Sequence, residues 1–175
     1  MVDPASTLTL RLAEASRAPA ERHFAPDDAA RAAIAKTLDF VALPALTADL
    51  TVKPWFDGVQ IDGAWQAIVV QTCGVTLEDF ATPLSGDFMV RVVPPSSPHA
   101  PSPTDEVVID LEADDPPDVL ETDAIDLSAY VVEHLALEID PFPRKPDAVF
   151  EPPASEPESS PFSVLRLLKP GEPTH

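Results

Sequence analysis

The chain is poor in residue types whose scarcity excludes whole classes of protein. A single cysteine, Cys73, among 175 residues cannot form an internal disulfide, which argues against a disulfide-stapled scaffold or a cysteine-rich metal site. Only 5 glycines occur, and none belongs to a phosphate-cradling loop or a nucleophile elbow. Basic residues are few: 11 Lys and Arg stand against 30 Asp and Glu, for a formal net charge of -19. Nucleic-acid binding normally rests on cations that neutralise phosphates, so extensive direct RNA binding is disfavoured. No apolar run has the length of a membrane span and no amino-terminal signal pattern is read, so we expect a cytoplasmic protein without membrane contact.

Proline and acid are in excess. The 22 prolines limit helix interiors and central strands, so part of the chain is expected to lack regular structure. With 45% hydrophobic residues, the length suits one domain with a real core. Acid is unevenly placed: residues 1–53 hold 6 basic and 7 acidic residues, whereas 13 acidic residues and no Lys or Arg fall between Asp105 and Asp140. Such a run is either a solvated face or a docking surface for a basic protein. Its spacing does not match the oxygen ligands and central glycine of a calcium loop.

The strongest extended pattern lies between Gly63 and Val93. Trp65, Ala67 and Val69 alternate with Gln66, Ile68 and Val70, which reads as a largely buried strand with two apolar faces, ended by Cys73 and Gly74. A second strand from Phe80 places Leu84, Phe88, Val90 and Val92 on one face, with a bulge or kink expected at Gly86. Together they predict a hairpin at the centre of an antiparallel sheet.

Upstream, residues 8–15 alternate as a half-buried strand and residues 16–24 read as a connection. Pro26, Asp27 and Asp28 open a short amphipathic helix through Ala30, Ala33, Ile34 and Leu38. From Asp39 the pattern is extended again. Asp57-Gly58 and Asp62-Gly63 are both hairpin dipeptides, so three or four strands are expected between Phe40 and Val93.

Downstream, residues 94–104 carry five prolines and predict a flexible loop, and 107–111 (VVIDL) predict a strand. Asp126 is an N-cap for a helix with Leu127, Tyr130, Val131, His134 and Leu137 on one face. The prolines of 141–146 end it. Residues 151–160 read as a disordered linker and 161–169 as a short terminal helix whose Phe162, Leu165 and Leu168 form an apolar stripe.

Few residues carry a case for chemistry. Thr76 stands where a C-x-x-C pair would place its second sulfur, so Cys73 reads as a small apolar residue at a strand end. His134 reads as a packed histidine with one hydrogen-bond partner, while His23, His99 and His175 converge on no site. The Trp55 and Trp65 pair reads as core or turn packing before it reads as a ligand platform. No cofactor or metal is expected.

Three segments nevertheless resemble the YceD family of large ribosomal RNA subunit accumulation proteins: QTCGVTLEDF, IDLSAYVVEHLALEIDPFP and PFSVLRLLK. With the strands between them they cover most of residues 7–169. The positions that match are Cys73, Asp126, Leu127, Glu133, Pro141, Pro143, Phe162, Leu165 and Leu168. Only one cysteine of the family's pair is present, so a metal or redox role is not carried over. The resemblance implies a non-enzymatic part in accumulation or processing of large-subunit ribosomal RNA, often beside the gene of a small basic ribosomal protein.

The expected fold is α+β: an antiparallel sheet, left open between a barrel-like and an unclosed form, with two packed helices in a single YceD-like domain of residues 1–150. The expected partner is a basic ribosomal protein or ribosome-assembly factor, with ribosomal RNA contacted indirectly. It would be held by Asp105, Glu106, Asp110, Glu112, Asp114, Asp115, Asp126 and Glu133, with Phe162, Leu165 and Leu168 as an apolar anchor. Direct RNA binding through Arg11, Arg17, Arg22 and Arg31 is the alternative, and a metal- or thiol-dependent enzyme the weakest reading.

Overall fold

Alternation of apolar and polar side chains sets the architecture, because one face of each long strand has to leave water. The computed structural model describes residues 7–101 and 115–150. The elements in chain order are β1 (Thr9–Arg11), α1 (Leu12–Ala15), β2 (Ala20–Phe24), α2 (Asp28–Thr37), β3 (Ala42–Trp55), β4 (Gly58–Thr72), β5 (Asp79–Val93), β6 (Asp118–Val119), β7 (Ala124–Asp126) and α3 (Leu127–Leu137). A five-stranded sheet runs β2-β3-β4-β5-β6 and is not closed into a barrel; β1 and β7 pair separately, Leu10 opposite Ile125. All pairings are antiparallel except the short parallel one between β5 and β6.

The β4–β5 pair is the expected central hairpin, in unbroken register from Val59↔Val92 to Thr72↔Asp79. Its burial is one-sided: Val59, Ile61, Trp65, Ala67 and Val69 point inward, while Ala64, Gln66 and Ile68 stay exposed. Among the described residues the expected second apolar face is therefore exposed, because their helices cover the other side of the sheet. Leu46, Ala48, Leu50 and Val52 of β3 and Phe88 and Val92 of β5 complete the inner layer, covered by Leu10, Leu12, Ile34, Ile125, Leu127, Val131 and Leu135.

Several expectations are corrected. The β3–β4 hairpin turns at Phe56 (φ 49°) and Asp57, one residue before the expected Asp57-Gly58, and Gly58 already pairs with Trp55 as the first residue of β4. Asp62-Gly63, however, lies inside β4, where the Asp62 carboxylate accepts from Lys53 Nζ and Gln60 Nε2 at 2.8 Å each. Pairing on both sides outweighs a local turn preference. Three strands, β3, β4 and β5, fill the stretch from Phe40 to Val93, the lower of the two expected counts. Gly86 makes no bulge. It faces Trp65 across the ladder, and a Cβ there would come within 3.0 Å of the indole, so the missing side chain seats the ring. The bulge lies instead in β3, where the register shifts between Ala42 and Ala45 around Leu43 and the exposed Pro44.

The amino-terminal segment is also rearranged. Residues 8–15 hold only a short strand before α1, because Leu12 N–H turns to Asp123 O at 2.8 Å and Leu12 and Ala15 swing into the core. Residues 16–24 contain β2, an edge strand whose sole buried residue, Phe24, leaves no alternation to read. The first long helix is as expected: Asp27 accepts from Ala30 N–H at 2.8 Å, and Phe40 N–H bonds Ala35 O at 2.8 Å beyond the left-handed Asp39 (φ 58°). That closes a Schellman motif and turns Phe40 inward.

In α3, Leu127, Val131 and Leu135 are fully buried at a spacing of four. Tyr130 and His134 are half-buried, and Leu137 is 73% exposed, so the inward face is rotated from the one expected. The described part of the proline loop, residues 94–101, forms turns in which Ser97 Oγ bonds Asp57 Oδ1 at 2.8 Å. The 107–111 strand, the 151–160 linker and the 161–169 helix lie outside the described residues.

Gly58 permits a closer approach than the other described glycines do: a Cβ there would stand 2.1 Å from Val92 O. Gly58→Ala has to push β5 away from β4, and we expect a loss of about 3 kcal/mol in urea unfolding. An unchanged midpoint would show that the hairpin end yields freely.

Candidate functional site

Where β5 meets β6 and α3, the chain brings distant acidic residues into one cleft of about 430 Å³. Its walls include Met89 and Arg91 of β5, Asp115 and Pro116 before β6, Asp118 of β6, and Tyr130, Glu133 and His134 of α3. Parallel pairing of Val92 with Asp118, reinforced by Leu120 N–H to Val93 O at 2.9 Å, holds β6 in place. The helix is started by Asp126, whose carboxylate accepts from Ala129 N–H at 3.1 Å and from the Ser128 hydroxyl. Four residues above the cap, one turn of α3 then presents Tyr130, Glu133 and His134 to the β5 edge.

Electrostatics favour a cation. Asp115, Asp118 and Glu133 face the cleft together with one guanidinium, that of Arg91, which lies 5.2 Å over the Trp55 ring. Tyr130 donates to Asp118 Oδ2 at 3.0 Å. Burial, followed by the negative charges of Asp118 and Glu133, pushes the Tyr130 phenol well above its ordinary range, so it stays a neutral donor. His134 stacks flat on Phe88, with centroids 4.2 Å apart and planes at 6°, fixing the floor. A lysine or arginine side chain fits the chemistry of such a cleft.

Of the residues expected to hold a partner, Asp115 and Glu133 meet here. Asp126 is committed to capping α3 and lies around the helix from them. Asp105, Glu106, Asp110, Glu112, Asp114, Phe162, Leu165 and Leu168 lie outside the described residues. Asp118 and Tyr130 escaped sequence reasoning as a pair, since only the β5–β6 pairing carries the acidic segment back against α3; the one available signal was their place within or beside the acidic run.

Cys73 sits elsewhere, at the β4–β5 turn, with no exposed surface. Its Sγ accepts from the backbone N–H of Lys145 at 3.3 Å and of Val75 and Thr76 at 3.4 Å each. Gly74 N–H bonds Pro143 O at 2.9 Å, and Lys145 Nζ pairs with Glu78 at 2.9 Å. The thiol thus pins the segment after α3, including Pro141 and Pro143, to the hairpin tip. The Thr76 hydroxyl, then the N–H groups of Lys145, Thr76 and Val75, outweigh desolvation and bring the thiol from 9.0 down to about 6. Leu127 is a core residue. Among the described residues, no group of three or more His, Cys, Asp or Glu is placed to hold a metal ion, and no helix is long and apolar enough to cross a membrane.

The other flagged groups have local partners. Arg31 pairs with Asp28 and donates to Pro26 O at 2.6 Å, and Arg22 donates to Glu21 O at 2.8 Å. His23 bonds Asp49 at 2.7 Å. Trp65 is in the core, whereas Trp55 belongs to a surface cluster in which His99 stacks on Phe56 at 4.1 Å.

The fold and cleft together define an α+β domain with an acidic recess between a sheet edge and a capped helix. The chain belongs to the YceD family: the family model described as large ribosomal RNA subunit accumulation protein YceD matches residues 61–169. That span starts within β4 and takes in all three segments that carried the resemblance. No curated protein and no solved structure matches the chain.

The thiol makes a pH prediction. Unfolded, it takes up its proton near its ordinary 9.0; folded, near about 6. Between those values the unfolded state binds more protons, so stability rises with pH and is lost as pH falls through about 6. Urea unfolding across this window should rise in the native protein more steeply than in Cys73→Ser, which keeps an acceptor but does not titrate. Parallel profiles would mean that the thiol stays neutral.

Proposed function

We propose that this protein is a non-enzymatic ribosome-biogenesis factor, which supports accumulation and processing of large-subunit ribosomal RNA by holding a basic ribosomal or assembly protein on its acidic face. One observation carries this reading: Asp115 and Asp118 of the β6 segment and Glu133 of α3 converge on a single cleft beside the neutral Tyr130. Family membership supplies the ribosomal context. A formal charge of -19 raises the rate of encounter with a cationic partner and makes the complex sensitive to salt. The effect on RNA is then indirect.

The test is affinity purification of tagged protein from growing cells, washed at low and high salt, with protein and RNA both identified. We expect a basic protein recovered at low salt and released at high salt. Asp115→Asn/Asp118→Asn/Glu133→Gln keeps the shape of the cleft and should weaken that complex about tenfold, ~1.4 kcal/mol. Recovery unaffected by the substitutions, or RNA that survives removal of protein, would overturn the reading.

A second reading, direct RNA binding, draws support from the surface aromatic cluster. Phe56 is 71% exposed beside His99, Trp55 and Arg91, a surface on which an unstacked base could lie. Filter binding with large-subunit RNA fragments at physiological salt decides it: Phe56→Ala should weaken retention by roughly tenfold, ~1.4 kcal/mol. No retention by the native protein excludes this reading.

A further inference from the structure

Between α2 and α3, next to the acidic cleft and sharing Glu133 with it, lies a second recess, of about 290 Å³ and mostly apolar. Phe24, Ile34 and Leu38 line one wall and Ala129, Val132 and Ala136 the other. Ile34 and Phe24 are buried, but Ala129 is exposed and Leu38 and Val132 are half-covered, so the groove between α2 and α3 opens to water. Its rim is acidic, through Asp126 and Glu133. An apolar groove with an anionic rim fits an amphipathic segment whose apolar stripe is flanked by cations.

The chain carries such a segment. Phe162, Leu165 and Leu168 recur at helical spacing, and Arg166 and Lys169 follow on the flanking positions. We propose that the α2–α3 groove is the docking site of the chain's own residues 162–169, with Phe162 and Leu165 entering the recess and Arg166 and Lys169 facing Asp126 and Glu133.

Three observations favour this occupant. The described chain stops at Phe150, and the 12 residues to Phe162 span up to about 40 Å. That is about the diameter of a domain of this size, so the segment reaches the groove. The family match extends from the sheet through Lys169, so the segment belongs to the same matched unit as the groove wall formed by α3. The charges are also complementary: the segment is locally cationic in a strongly acidic protein. A tether this short keeps the effective concentration high enough for weak apolar contacts to suffice. The inference does not rest on the acidic-cleft reading: the two recesses share Glu133, but Phe24, Ile34, Leu38, Ala129, Val132 and Ala136 line this one alone.

The test uses the full chain with a nitroxide on Ser163→Cys, Cys73 having no exposed surface to label. Paramagnetic broadening should fall on the amide signals of Ala129, Val132 and Ala136 and persist on dilution. Phe162→Ala/Leu165→Ala in the tail should abolish it and leave the signals of Val59 and Val69 in the core unshifted. Ala129→Glu, at an exposed position, should release the tail without disturbing the sheet. Broadening spread evenly over the surface, broadening that fades on dilution because a second copy supplies the tail, or broadening insensitive to these substitutions would each overturn the proposal.

Discussion

The structure depends on β4, which is hydrogen-bonded along both edges and must bury one face only. A one-residue slip would carry Ile61, Trp65 and Val69 to the solvent side, so the registers of β3 and β5 are set together. The same constraint explains why the sheet tolerates glycine where it does. At Gly58 the β5 backbone comes close, and at Gly86 the indole of Trp65 occupies the place of a side chain.

One-sided burial also decides where chemistry is available. Helices and the small β1–β7 ribbon take the inner face, and the outer face keeps polar residues such as Asp62 with Lys53. Among the described residues only the two-residue β6 follows β5 in the sheet, which leaves a gap between them and α3. The acidic cleft occupies that gap. Its helix is held at both ends: Asp126 caps the start, and the Cys73 thiol fastens the segment that follows it to the hairpin tip. A lone cysteine thus works as a three-way acceptor, ordering a turn and a return segment that have few apolar contacts of their own.

Much of this was legible in the residues. Asp27 and Asp126 announced their helices because capping is chemistry within one turn, and the β4–β5 hairpin announced itself because strand alternation survives without tertiary context. The edge strand β2 was not legible, since Glu21 and His23 face water and Phe24 alone is buried. Asp62-Gly63 misled for the reverse reason: a dipeptide that favours a turn in isolation was drawn into a strand by partners on both sides. The inward face of α3 was displaced because spacing admits Leu137 as readily as Leu135, and only the contacts of Leu135 against the sheet distinguish them. Of the candidate site, Asp115 and Glu133 were picked from the acid run, while Asp118 and Tyr130 became a pair only through folding.

By itself the sequence determined what local forces can specify: the α+β class, the capped helices, the central hairpin and the acidic character of the chain. Tertiary structure alone decided which acids act together. Asp115 and Asp118 are separated from Glu133 by the β7 segment and half of α3, and they converge with it because β6 pairs with the end of β5 while α3 packs its apolar face on the same sheet. Charge is a property of composition, whereas its concentration in a cleft is a matter of distance. Distances between remote residues are set by which faces must be buried.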